Sequence, residues 1–146
     1  MNYEVYAIAK LKDYQAKVIS IQNLREEIQT LKARQTSAKT SRFDAVCATA
    51  GDSSRAQDTA LNLIADIDEK LKIYHDNRRE IRRIERALGI LAEPERAVLD
   101  AFFLCPVSNP VAYLKEKHSY EKTWVYNTRR EALRKFTRAF YGTVDA

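Results

Sequence analysis

A chain of 146 residues has room for one domain, or for a small domain with an extended appendage. Three glycines and three prolines in that length point to an all-α protein, and a net charge of +5 is mild if it is spread evenly. No apolar run of membrane-spanning length opens the chain, where Lys10, Lys12 and Asp13 follow soon after Met1, so neither a signal peptide nor a membrane association is expected and the protein should act in the cytoplasm.

From about Tyr3 to Arg34, Leu11, Tyr14, Val18, Ile21, Leu24, Ile28 and Leu31 step by three and four, which predicts a long amphipathic helix. Periodicity is lost from Ser37 to Arg55, a stretch rich in Ser, Thr and Ala that contains Gly51. It reads as a loop with a short helical turn around Phe43 to Ala48, where Phe43 and Val46 could tuck it against its neighbours. Asp52, Ser53 and Ser54 can cap a second helix, whose positions Ala60, Ile64, Ile67, Leu71, Tyr74, Arg78 and Ile81 form a heptad before Ile84, Leu88 and Leu91 shift the stripe. Two long helices with seams of similar length bury them most cheaply as an antiparallel hairpin over 1–91. Two helices leave part of each stripe wet, so either the C-terminal domain or a second copy of the hairpin should cover it, and the heptad favours a homodimer.

Glu93 and Pro94 restart the helix, and Val98, Leu99, Phe102 and Phe103 supply bulk for the core of a second region, 92–146, until Pro106 stops it. Asn109 and Pro110 cap and open a short helix carrying Val111 and Leu114 that should end near His118. After a break at Ser119 comes a longer helix with Val125, Ala132, Phe136 and Phe140 on one face. Opposite Val125 lie Thr123, Asn127, Arg130, Arg134 and Arg138, and Gly142 ends the helix. A short helix, a tight turn and a longer helix with one packed and one basic face make a helix-turn-helix candidate, so the expected architecture is the long hairpin followed by a small three-helix domain. Charge concentrates there: 112–141 holds eight Lys and Arg against three Glu, a net +5 that equals the whole chain's excess.

At these residues the chain resembles sigma-factor region 4. Val125 followed by Ala132, Leu133, Arg134, Lys135 and Phe136 matches the recognition-helix pattern, and Leu91 to Leu99 reads Leu-Ala-Glu-Pro-Glu-Arg-Ala-Val-Leu where that family has Glu-Arg-x-Val-Leu. Tyr120 and the Val125-Tyr126 pair are most similar to phage late-gene transcription activators of the RinA/ArpU type, which would extend the resemblance over the whole chain. The pattern usually has Gly at Ser119, a capping Ser at Glu121 and a small Ala at Lys115. The resemblance implies a transcription regulator on double-stranded DNA, with the start of the last helix in the major groove. Lys122, Thr123, Trp124, Tyr126 and Asn127 would then read bases, and Arg130 and Arg134 would hold the backbone. By chemistry Asn127 suits adenine and Lys122 suits guanine or phosphate.

Other chemistry has little support. His75 and His118 have no carboxylate or cysteine at metal-ligand spacing, Cys47 and Cys105 read as reduced thiols, and no phosphate loop or nucleophile–base arrangement can be assembled, so no metal, cofactor or enzymatic activity is expected. Arg78, Arg79, Arg82, Arg83 and Arg86 form a second basic cluster. It is either a helix face satisfied by Glu80 and Glu85, or a surface for phosphate or an acidic partner. The alternative function, favoured by Glu121 and Lys115, is a helical interaction module that docks on RNA polymerase or another host factor without binding DNA.

Overall fold

The computed structural model describes residues 2–45 and 53–145, and over them the chain is helical. Helix α1 spans Tyr3–Ala45, α2 Ser53–Leu88, α3 Glu93–Leu99, α4 Pro110–His118 and α5 Lys122–Tyr141. The described residues contain no strand, only an isolated antiparallel bridge between Asn2 and Asp145.

The helices run further into 37–55 than the loop expected there: α1 continues to Ala45 and α2 already begins at Ser53. Loss of an apolar period removes the evidence for a buried face, not for a helix, and Ala38, Lys39, Arg42 and Ala45 are adequate to good helix formers. Asp52 and Val46 lie outside the described residues, and so does the Phe43 side chain, so the expected cap and tucked contact fall there too.

Two compact units emerge, Met1–Val18 with Arg79–Ala146, and Ile19–Arg78. In the second, α1 and α2 pack through Leu24, Ile28 and Tyr74, with Ile21 and Leu71 alongside. Asn77 donates to Ser20 at 3.0 Å, Arg25 to the Tyr74 hydroxyl at 3.3 Å, and Lys70 pairs with Glu27 at 3.0 Å. Rising numbers on α1 meet falling ones on α2, so the two run antiparallel within this unit.

Two expected seam positions face outward, Val18 at 42% exposure and Ile64 at 43%. On α1 the inward-facing track passes through the half-buried Lys17, whose ammonium stands 3.9 Å from Glu80. On α2 the step from Ala60 is three residues, to the half-buried Leu63, before the four that reach Ile67.

The first unit has two cores. The larger joins Ala7 and Leu11 of α1, Ile84, Ala87 and Leu88 of α2, Leu99, Phe103 and Leu104, and Ala132, Leu133, Phe136 and Phe140 of α5. The smaller joins Val98, Ala101, Leu114 and Val125, with Val107, Val111 and Tyr120 at its edge. Phe102 packs against both. After Leu99 the helix widens into a π turn over Asp100–Leu104, closed by Cys105 N–H donating to the Asp100 carbonyl at 2.8 Å. The wider turn accompanies successive residues facing different cores, Ala101 the smaller and Phe103 with Leu104 the larger.

Polar contacts tie the start of α1 to the end of α2. Lys10 pairs with Glu80, and the Tyr14 hydroxyl donates to Glu85 at 2.9 Å. Burial, then that hydrogen bond, pushes the Tyr14 phenol up to about 12.

Candidate functional site

The α4–α5 pair is built from local signals that act as expected at one end and differently at the other. Asn109 Oδ1 accepts from the Ala112 N–H at 3.2 Å and Pro110 occupies the first helical position, which together start α4. At its other end Ser119 stands at φ 61°, ψ 29°, the one non-glycine with positive φ among the described residues, and its N–H donates to the Lys115 carbonyl at 3.0 Å. This left-handed cap reverses the chain, at a conformational cost that glycine would avoid. Glu121 occupies the N-cap of α5 without a side-chain capping bond, and its carbonyl accepts from Val125 N–H at 2.9 Å.

Helix α5 buries Val125, Thr128, Ala132, Leu133, Phe136, Thr137 and Phe140. The two threonines extend the apolar face beyond what hydrophobicity alone marks. Thr137 avoids an orphaned hydroxyl by donating to the Leu133 carbonyl at 2.7 Å. At about 100° per residue, Thr123, Asn127, Arg130, Arg134 and Arg138 fall within an arc of about 80° on the far side. All five are exposed, as are Lys122, Trp124 and Tyr126.

The candidates are not equally free. The Trp124 ring, 39% exposed, lies 4.3 Å from that of Tyr120, which stacks on His118 at 5.1 Å. The three aromatics line the turn from α4 into α5. Tyr126 is held by Arg129, whose guanidinium sits 5.2 Å over its ring and 4.9 Å over that of Phe102. Arg129 is half-buried in this sandwich, so one of the eight positive charges in the segment serves packing. Arg134 Nε stands 3.8 Å from Glu4, and Lys135 lies 2.9 Å from Glu95, whose other oxygen accepts from the Ala92 N–H at 3.3 Å at the start of α3. Arg130 and Arg138 make no ion pair among the described residues.

No group of three or more His, Cys, Asp or Glu residues able to hold a metal occurs among the described residues, and no described helix is long and apolar enough to cross a membrane. Cys105 is an exposed free thiol; Cys47 lies outside the described residues. Compared with known proteins, the chain matches no family model, no curated protein and no solved structure.

Proposed function

We propose that the chain is a phage-type transcription regulator that binds duplex DNA through α4 and α5 acting as a helix-turn-helix, with α1 and α2 forming a helical hairpin. The observation that carries this reading is the far face of α5: an amide, a hydroxyl and three arginines exposed on one arc, on a helix whose other face is anchored in two cores. A rigidly held face of that composition suits a groove, because hydrogen-bonding side chains read base edges while guanidinium groups meet phosphate. Asn127, Thr123 and Lys122 lead the base-contacting set. Trp124 and Tyr126, each packed on a neighbouring ring, would offer their edges to thymine methyls or sugars, and Arg130 and Arg134 would meet the backbone.

The second reading, a module that docks on RNA polymerase or another host factor, draws its support from Glu121. Its carboxylate stands at the start of α5 without a capping role, where a phosphate would be repelled.

Fluorescence anisotropy on a selected duplex and its scrambled counterpart, across a salt series, separates the two. Arg130→Ala should weaken both duplexes alike and reduce the slope of log affinity against log salt by about 0.9. Asn127→Ala should leave the slope unchanged and cost about 1–3 kcal/mol on the selected duplex only. Absence of duplex binding by the unaltered chain at low salt would discard the DNA reading in favour of protein docking.

A further inference from the structure

The last turns of α2 carry Arg79, Arg82, Arg83 and Arg86, which at about 100° per residue share one arc of about 100°. All four are exposed, and Ile84, Ala87 and Leu88 occupy the buried side of the same turns. The sequence offers Glu80 and Glu85 as their counter-charges, but both carboxylates are engaged elsewhere. Glu85 accepts from the Tyr14 hydroxyl. Glu80, its side chain only 13% exposed, pairs with Lys10 and Lys17 and meets just one member of the cluster, Arg83, at 3.5 Å. The Arg83 guanidinium is further fixed 4.5 Å over the Phe140 ring. Arg86 Nε bonds the Arg82 carbonyl at 3.3 Å, which leaves its charge unbalanced, and Arg79 and Arg82 make no ion pair among the described residues.

Like charges at these spacings repel and destabilise an isolated helix by a few tenths of a kcal/mol per pair. Among the described residues Arg79, Arg82 and Arg86 cover no ring and neutralise no carboxylate. A planar guanidinium is the group best matched to phosphate oxygens. We propose that Arg79, Arg82 and Arg86 form a second, sequence-independent contact with the sugar-phosphate backbone of the duplex, a step that rests on the DNA reading of α5.

Position sets where this contact falls. Arg83 packs on Phe140, thirteen residues beyond Asn127 on α5, so the arginine face lies beside the end of that helix, about 20 Å from the base-reading residues. A contact that far from the base-reading residues falls on DNA outside the bases that α5 reads. The contact therefore needs flanking DNA.

The experiment compares the unaltered chain with Arg79→Gln/Arg82→Gln/Arg86→Gln on random-sequence duplexes of about 10 and about 25 base pairs. Arg83 is left in place because it covers Phe140. On the long duplex the triple variant should lower the salt slope by about 2.7, at about 0.9 for each phosphate no longer neutralised. Its affinity deficit should then be about 40-fold larger at 50 mM than at 200 mM salt, by the same relation. On the short duplex, about 34 Å long, fewer registers hold both contacts, so the difference in slope between the two proteins should be smaller. The corresponding triple Lys variant should restore the slope, and each single Gln variant should lower it by about a third as much, which guards against a triple variant that fails to fold. A wild-type slope in the Gln variants on the long duplex overturns this inference while leaving the α5 reading intact, and so does a Lys variant as weak as the Gln one. An unaltered chain that binds neither duplex overturns both.

Discussion

Replacing Leu11 by alanine tests whether the C-terminal helices depend on the beginning of the chain. Leu11 is fully buried, packed with Ala7 in the core that holds Leu88, Leu99 and Phe136. The change removes three carbons, a transfer loss of about 2.4 kcal/mol at 0.8 per methylene. The cavity left among side chains held from three other helices raises the expected cost to about 3–4 kcal/mol. For a chain of this length that corresponds to a fall of about 8–12 °C in Tm. Trp124, the only tryptophan, belongs to this unit, so urea unfolding followed by its fluorescence reports the right part of the molecule. Val18→Ala on the same helix, at an exposed position, should stay within about 0.5 kcal/mol and serves as the control. A fragment spanning 92–146 lacks Ala7, Leu11, Ile84 and Leu88 and should show no cooperative transition. If Leu11→Ala unfolds at the same urea concentration as Val18→Ala, or if the fragment melts cooperatively, the shared core is not what holds α5.

Two further changes probe single interactions. Ser119→Gly should stabilise the chain by about 0.5–1 kcal/mol, since a non-glycine at φ 61° costs about 1–2 kcal/mol and the flexibility of glycine in the unfolded chain returns part of that; a lower Tm for the glycine variant would contradict the left-handed cap. Burial of Glu80 pushes its carboxyl up, but Lys10, Lys17 and Arg83 together bring it below the ordinary 4.5. Its contribution to stability is therefore present above about pH 4.5 and is lost as pH falls through the lower folded value. The Tm gap between the unaltered chain and Glu80→Gln should hold steady from about pH 7 to about 5 and close below that, and a gap that widens on acidification would refute the assignment.

Local features of the fold were legible wherever one residue type does one physical job. Asn109, Pro110 and Gly142 mark helix ends through capping, a missing donor and a left-handed conformation, and each stands where those roles require. The apolar face of α5 was legible from Val125, Ala132, Phe136 and Phe140. Thr128 and Thr137 were not, because their burial depends on a tight fit and, for Thr137, a bond to its own helix. The end of α1 is hidden from the sequence for a related reason: periodicity reports a buried side, and a helix that continues without an apolar stripe gives no such signal. The grouping of the first turns of α1 with α5 is a tertiary fact. Leu11 reads as one more step in a stripe continuing to Leu31, and nothing local says that α5 joins α2 among the partners of its first turns.

The charge of the candidate site shows the same limit and sharpens it. Counting residues gives 112–141 a net +5, but a count treats every cation as available. Arg129 is enclosed between two aromatic rings, Lys135 is committed to the carboxylate that caps α3, and Arg134 is shared with Glu4. A phosphate must compete with Glu4 for Arg134, so neutralising that residue releases fewer counterions than its formal charge implies. Arg130 and Arg138 carry no such partner. They are therefore the α5 arginines whose removal reports on a polyanion most directly, and Arg130, one turn from Asn127, places that report beside the groups that would read bases.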